Sequence, residues 1–166
     1  YQLLSIGWHN NRFVYTVAFH FDIIDGKIWI QQNNTDVLIA DELVEKLKTR
    51  VPKIKVGPGT DPTAEMGPLI TREHRDKVAS YITNANGEGA SVVIDGTDKA
   101  KDAGFFLNPS LIDKVKPGMK CYDEEIFGPV LVVTRVEGYE AGLKLINDNP
   151  YGNGTAIFTR DGGVAR

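Results

Sequence analysis

Four apolar residues in unbroken succession, Val130-Leu131-Val132-Val133, stand behind the Gly128-Pro129 pair in the stretch EEIFGPVLVV. A strand with one face in water alternates apolar and polar side chains, so an uninterrupted run reads as a strand covered on both faces. Such a strand needs a layer above it and a layer below it, which the chain must supply from helices. Three candidates are present. Ile39, Leu43, Val44 and Leu47 form one apolar stripe on a helix ending near Arg50, ahead of Pro52. Thr71 can cap a second helix, running to about Asn84, on which Val78, Tyr81, Ile82 and Ala85 recur at helical spacing. A third spans Tyr139 to Asn147, with Ala141, Leu145 and Ile146 as its inner face. Strand candidates lie at 90–96, 105–112, 129–136 and 155–160. A strand, a helix and a strand at the spacing of the last two imply a right-handed crossover and a parallel pair. The class is therefore α/β.

The front of the chain is a different kind of sequence. All eight prolines lie at or after Pro52, while seven of the fifteen aromatics lie within Tyr1 to Trp29. Three β-rich runs, Leu3–Trp8, Arg12–Phe21 and Lys27–Gln32, are separated by His9-Asn10-Asn11 and by Asp25-Gly26, a favoured tight hairpin pair. This reads as an antiparallel β meander with Phe13, Tyr15, Val17 and Phe19 on one face. His9 and His20 fall on different elements without a third ligand type nearby, so they read as a turn residue and a strand-face residue, and no metal site is expected. Between Lys53 and Thr71 lies a long irregular connection rich in proline and glycine, of a length that in compact domains goes with function or with a larger body.

Charge excludes one class of partner. Residues 1–45 carry two basic and six acidic side chains and residues 46–166 seventeen and sixteen, so neither part has the basic excess that phosphate backbones demand, and direct nucleic-acid binding is not expected. No apolar stretch suits a membrane span or a secretory signal, and the single cysteine, Cys121, allows no internal disulfide. A cytoplasmic, reducing compartment is the expectation.

Chemistry concentrates at the mouth of the covered strand. Glu124, Glu125 and Phe127 precede it, and ligands gather at strand ends in α/β sheets. From the residues alone, Gly128-Pro129 also reads as a plain turn beside two solvated carboxylates.

The phrases VGPGTDPTAEMGPLIT, EGASVVIDG, GFFLNPSLID, CYDEEIFGPVLVV and NDNPYGNGTAIFTRDG, taken in order, resemble the aldehyde dehydrogenase superfamily over about residues 40 to 166. NPYGNGTAIFT most resembles its methylmalonate-semialdehyde dehydrogenase group. The resemblance implies part of a catalytic domain, NAD as the ancestral cofactor with weak or no binding expected in this chain, an aldehyde substrate, acyl transfer to coenzyme A, and homo-oligomers or a partner chain. It also gives the EIFGP residues roles: Glu125 would accept hydrogen bonds from the nicotinamide-side ribose hydroxyls, and Phe127 would pack near the nicotinamide ring. A carboxylate suits a vicinal diol because its two oxygens take both donors. Glu124 is expected to be a solvated neighbour.

Other family features have no counterpart here. The family's nucleophilic cysteine stands in a Gly-Gln-Arg-Cys-like motif, which does not occur, and Cys121 falls where the family permits varied residues, so it reads as a packing residue and no catalytic residue is assigned. A glycine-rich dinucleotide-binding domain is not expected either. Residues 1 to about 38, above all DGKIWIQQNNTD, resemble instead the XisI-like family of excision controlling factors. The chain thus divides into 1–38, a XisI-like β-meander fragment, and 39–166, an aldehyde dehydrogenase catalytic-domain fragment. Two functions follow as expectations: a semialdehyde oxidoreductase that is catalytically incomplete as this chain, or a regulatory, protein-binding module of a DNA-element excision system.

Overall fold

The computed structural model describes the backbone of residues 5–9, 12–16, 21–24, 27–32, 38–101, 104–151 and 163, and side chains over 40–100 and 104–151 together with that of Gly163. Seven strands and four α-helices are formed by these residues. The strands are β1 (Ser5–His9), β2 (Arg12–Thr16), β3 (Phe21–Ile24), β4 (Lys27–Gln32), β5 (Ser91–Ile94), β6 (Ser110–Asp113) and β7 (Val130–Glu137). The helices are α1 (Leu38–Arg50), α2 (Arg72–Ala85), the single turn α3 (Lys120–Asp123) and α4 (Tyr139–Asp148).

The covered strand is the centre of the structure. Five strands form one mixed sheet in the order β3-β4-β7-β6-β5, with β7 parallel to both of its neighbours and both edge strands antiparallel. Val130 to Thr134 are all buried, as the apolar run requires. Val130 and Val132 join the core of Val78, Tyr81, Ile82 and Ala85 from α2 and Ile112 from β6. Strand alternation sends Leu131 and Val133 to the other face, and they are buried as well. Helix α1 lies against β4 and β6 with Leu43, Val44 and Leu47 buried, and α4 lies against β7, β4 and β3.

The front of the chain makes two antiparallel pairs, as expected, but among the described residues they do not join into one meander. The run from Arg12 to Phe21 is divided between β2 and β3, and these two strands belong to different sheets. Among the described residues, strands β1 and β2 pair only with each other, Trp8 opposite Phe13, whereas β3 and β4 form a hairpin bracketing Asp25-Gly26. Trp29 lies opposite Asp22 on one side and opposite Thr134, in a parallel ladder, on the other. Pairing with β7 gives β4 hydrogen-bonding partners along both edges, which a terminal meander strand lacks. The side chains of the expected aromatic face lie outside the described residues.

The helix expectations match closely. Thr71 caps α2, its hydroxyl accepting from the His74 amide at 3.1 Å, and all four expected inner-face residues are buried. In α4 the inner face turns by one position: Ala141 is exposed and Gly142 is buried, with Leu145 and Ile146 half-buried. The strand expected over 105–112 begins only at Ser110. Pro109 has no amide to offer a ladder, and the Asn108 amide is used by the Gly96 carbonyl at 3.0 Å. The connection from Lys53 to Thr71 is irregular, as expected, and folds on itself: Gly57 donates to the Met66 carbonyl at 3.0 Å, and Met66 is buried. The strand expected at 155–160, and with it the parallel crossover, lies outside the described residues.

Candidate functional site

The turn at the mouth of β7 is built by its two ends. Upstream, α3 closes with the Glu124 amide donating to the Lys120 carbonyl at 3.0 Å. Downstream, the Val130 amide donates to the Gly128 carbonyl at 2.8 Å, a tight reversal about Pro129, and the Pro129 carbonyl accepts from Ser110 of β6 at 2.8 Å. Between them Ile126 packs partly into the core, and Phe127 adopts a left-handed backbone with φ of 49°. Such a conformation costs a non-glycine residue about 1–2 kcal/mol. It directs the Phe127 ring outward, where the residue is 75% exposed.

Helix α2 runs alongside. His74 Nε2 lies 2.7 Å from the Phe127 carbonyl oxygen; a carbonyl only accepts, so this nitrogen carries the proton. A Cβ on Gly128 would fall 2.6 Å from Val78 Cγ1, so only glycine permits this approach of turn and helix. The Tyr81 hydroxyl donates to Glu124 Oε2, and Lys77 Nζ lies 3.4 Å from the same oxygen and 5.8 Å from the Tyr81 ring centroid. The Tyr81 hydroxyl bond holds the Glu124 carboxyl below the usual range, with Lys77 and Lys120 adding to the effect and burial opposing it. Burial, then the carboxylate beside it, pushes the Tyr81 phenol up.

Glu124 keeps 46% of its side chain exposed, as a solvated neighbour would, but it is also engaged by a hydroxyl and an ammonium from the helix beside it. Glu125, the next residue, is half-buried, and no hydrogen bond or ion pair joins its side chain to another described residue. One turn thus holds a carboxylate that no described residue uses, two residues from an outward-facing ring. Cys121 lies just upstream but is 1% exposed, within the core beside Met119 and Tyr122. Among the described residues no three or more histidine, cysteine, aspartate or glutamate side chains cluster as metal ligands. His9 and His20 side chains lie outside those residues.

His74, Lys77 and Tyr81 were not assigned from the sequence. The signal was present, because His74, Val78 and Tyr81 continue the same stripe backwards at spacings of four and three.

A family model described as "Aldehyde dehydrogenase family" matches residues 34–166, and one described as "XisI protein" matches residues 1–58. Methylmalonate-semialdehyde/malonate-semialdehyde dehydrogenase [acylating], mitochondrial, of Bos taurus is 48% identical over 128 residues, covering 75% of this chain and 23% of its own length. Malonate-semialdehyde dehydrogenase of Pseudomonas aeruginosa is 48% identical over 131 residues, covering 77% and 26% respectively. The chain thus spans about a quarter of the length of the curated relatives it matches. Among solved structures, methylmalonate-semialdehyde dehydrogenase from Oceanimonas doudoroffii superposes with a TM-score of 0.72 at 49% identity, over 75% of this chain and 26% of that one. Betaine aldehyde dehydrogenase from Staphylococcus aureus in complex with NAD+ superposes with a TM-score of 0.68 at 38% identity, over 82% and 27%.

Proposed function

The chain belongs to the aldehyde dehydrogenase family, and from that premise we propose that its chemistry is the NAD-dependent oxidation of a small semialdehyde, methylmalonate or malonate semialdehyde, with acyl transfer to coenzyme A. The carrying observation is the turn before β7, where no described residue uses the Glu125 carboxylate and the Phe127 ring is presented outward. That pair fits one end of NAD: Glu125 would accept from the ribose hydroxyls and Phe127 would lie against the nicotinamide. NAD, when bound, supplies the acceptor for the aldehyde hydride. The residues of this chain bind and orient that half of the cofactor.

The same reading makes the 166-residue chain a contributor to a site rather than a whole one. Cys121, its sole cysteine, is buried in the core and offers no thiolate to a carbonyl. The remaining catalytic groups would come from further polypeptide, such as a partner chain that carries them; homo-oligomers of this chain would repeat the same residues. We assign 1–38 and 39–166 to separate ancestries, with a cytoplasmic setting. The second reading, a protein-binding module of an excision system, draws its support from the match of residues 1–58.

Ligand-observed NMR with millimolar NAD tests the site. Weak binding that disappears in Glu125→Gln is expected. Calorimetry giving low-micromolar affinity in the 166-residue chain would mean that the site is complete without further polypeptide. Binding indifferent to Glu125→Gln would remove the assignment.

A further inference from the structure

We propose that one face of α2 is the device that holds the Glu125–Phe127 turn in its ligand-ready shape, with His74 and Glu124 as positioning residues. The proposal rests on the reading of Glu125 and Phe127 as cofactor contacts. Three observations converge on it. Phe127 sits in a conformation that its own side chain disfavours, and such residues persist only where the surroundings over-determine them. No described hydrogen bond within the turn spans Phe127, so the restraint comes from outside it. What lies outside is α2, which meets three turn residues from successive positions on one stripe: Tyr81 binds Glu124, His74 binds the Phe127 carbonyl, and Val78 packs against Gly128, which has no room for a Cβ.

The contacts bracket the turn. Glu124 is tied on one side of Glu125, and Phe127 and Gly128 are tied on the other, leaving the Glu125 carboxylate and the Phe127 ring as the groups not consumed by the helix. Ordering these groups before the ligand arrives removes an entropy cost from binding. Glutamine at 124 would keep the side chain's length and an acceptor oxygen but lose the charge-assisted bond from Tyr81.

Chymotrypsin, which needs an exposed aromatic in a backbone able to extend, reads the turn directly. The full chain, Tyr81→Phe, His74→Ala and His74→Gln are compared for cleavage after Phe127. Tyr81→Phe and His74→Ala are expected to raise that rate about tenfold, the size of one lost hydrogen bond, without raising cleavage at other sites. His74→Gln, which restores a donor for the Phe127 carbonyl, is expected to return it towards the parent rate. Equal rates in all four proteins, a general rise at every site, or a glutamine variant as susceptible as the alanine variant would each overturn the latch. Nicotinamide riboside, followed by saturation-transfer NMR, separates this from the underlying reading. A signal weakened by His74→Ala and abolished by Glu125→Gln supports both. A signal absent from the parent chain, or unchanged in Glu125→Gln, overturns the ribose assignment while the cleavage result still decides the latch.

Discussion

Gly128 is the residue on which the site's shape depends most directly. Val78 is fully buried and β-branched, so it has little freedom to retreat from a methyl group placed 2.6 Å away. Gly128→Ala should cost about 1–3 kcal/mol by overpacking. Combined with Val78→Ala, the loss should be smaller than the sum of the single losses, because the new methyl fills the space vacated; urea denaturation of the four proteins measures both effects. Glu124 carries a pH signature. Its folded carboxyl lies below the ordinary value of about 4.3, held there first by the Tyr81 hydroxyl. A depressed carboxyl adds stability above its unfolded value and loses it as pH falls through the folded one. The difference in urea midpoint between the parent chain and Glu124→Gln should therefore be constant near neutrality and shrink as pH drops below about 4.

The elements are joined by one ion network away from the turn. Arg135 of β7 meets Asp113 of β6 through two bonds, Nε to Oδ1 at 3.1 Å and Nη2 to Oδ2 at 2.6 Å, and reaches Asp41 of α1 at 2.8 Å. The Asp113 side chain is 5% exposed and the Asp41 side chain 57%. Removing the arginine strands a buried carboxylate, so Arg135→Ala should cost about 3 kcal/mol, whereas Asp41→Ala should cost less than about 1 kcal/mol; chemical denaturation distinguishes them. None of this network was legible in the sequence, and the reason is general to the fold. Helices α1, α2 and α4 were legible because their apolar spacing is local. Glu125 and Phe127 were singled out through a motif that lies five and three positions before the first residue of a recognisable strand. The bonds from α2 to the turn join residues more than forty positions apart, and the partner of β4 is set by which strand edge is free once β7 is in place. Phe105 and Phe106 imitated a strand because their apolarity was visible, while the use of Asn108 by Gly96 was not.

For the whole molecule, the expectation is that the purified 166-residue chain does not oxidise methylmalonate semialdehyde, with or without coenzyme A. Proximity and orientation contribute roughly 7–11 kcal/mol to such a step, covalent activation contributes separately, and the buried Cys121 supplies neither. NADH absorbance checks this, and turnover lost in Cys121→Ser would make Cys121 the nucleophile. A chain beginning at residue 39 would lack β4, leaving one edge of the apolar β7 without its ladder. It should self-associate and lose cooperative unfolding, as light scattering and circular dichroism would show. The parallel pairing of β4 with β7 also sets a clock. Lys27 lies opposite Val132, so more than a hundred residues must leave the ribosome after β4 before its partner exists. At about 5–20 residues per second this is a wait of roughly 5–20 s, during which β4 has only its hairpin partner β3, and a chaperone that shields nascent strands would raise the yield of folded chain more than one acting after release.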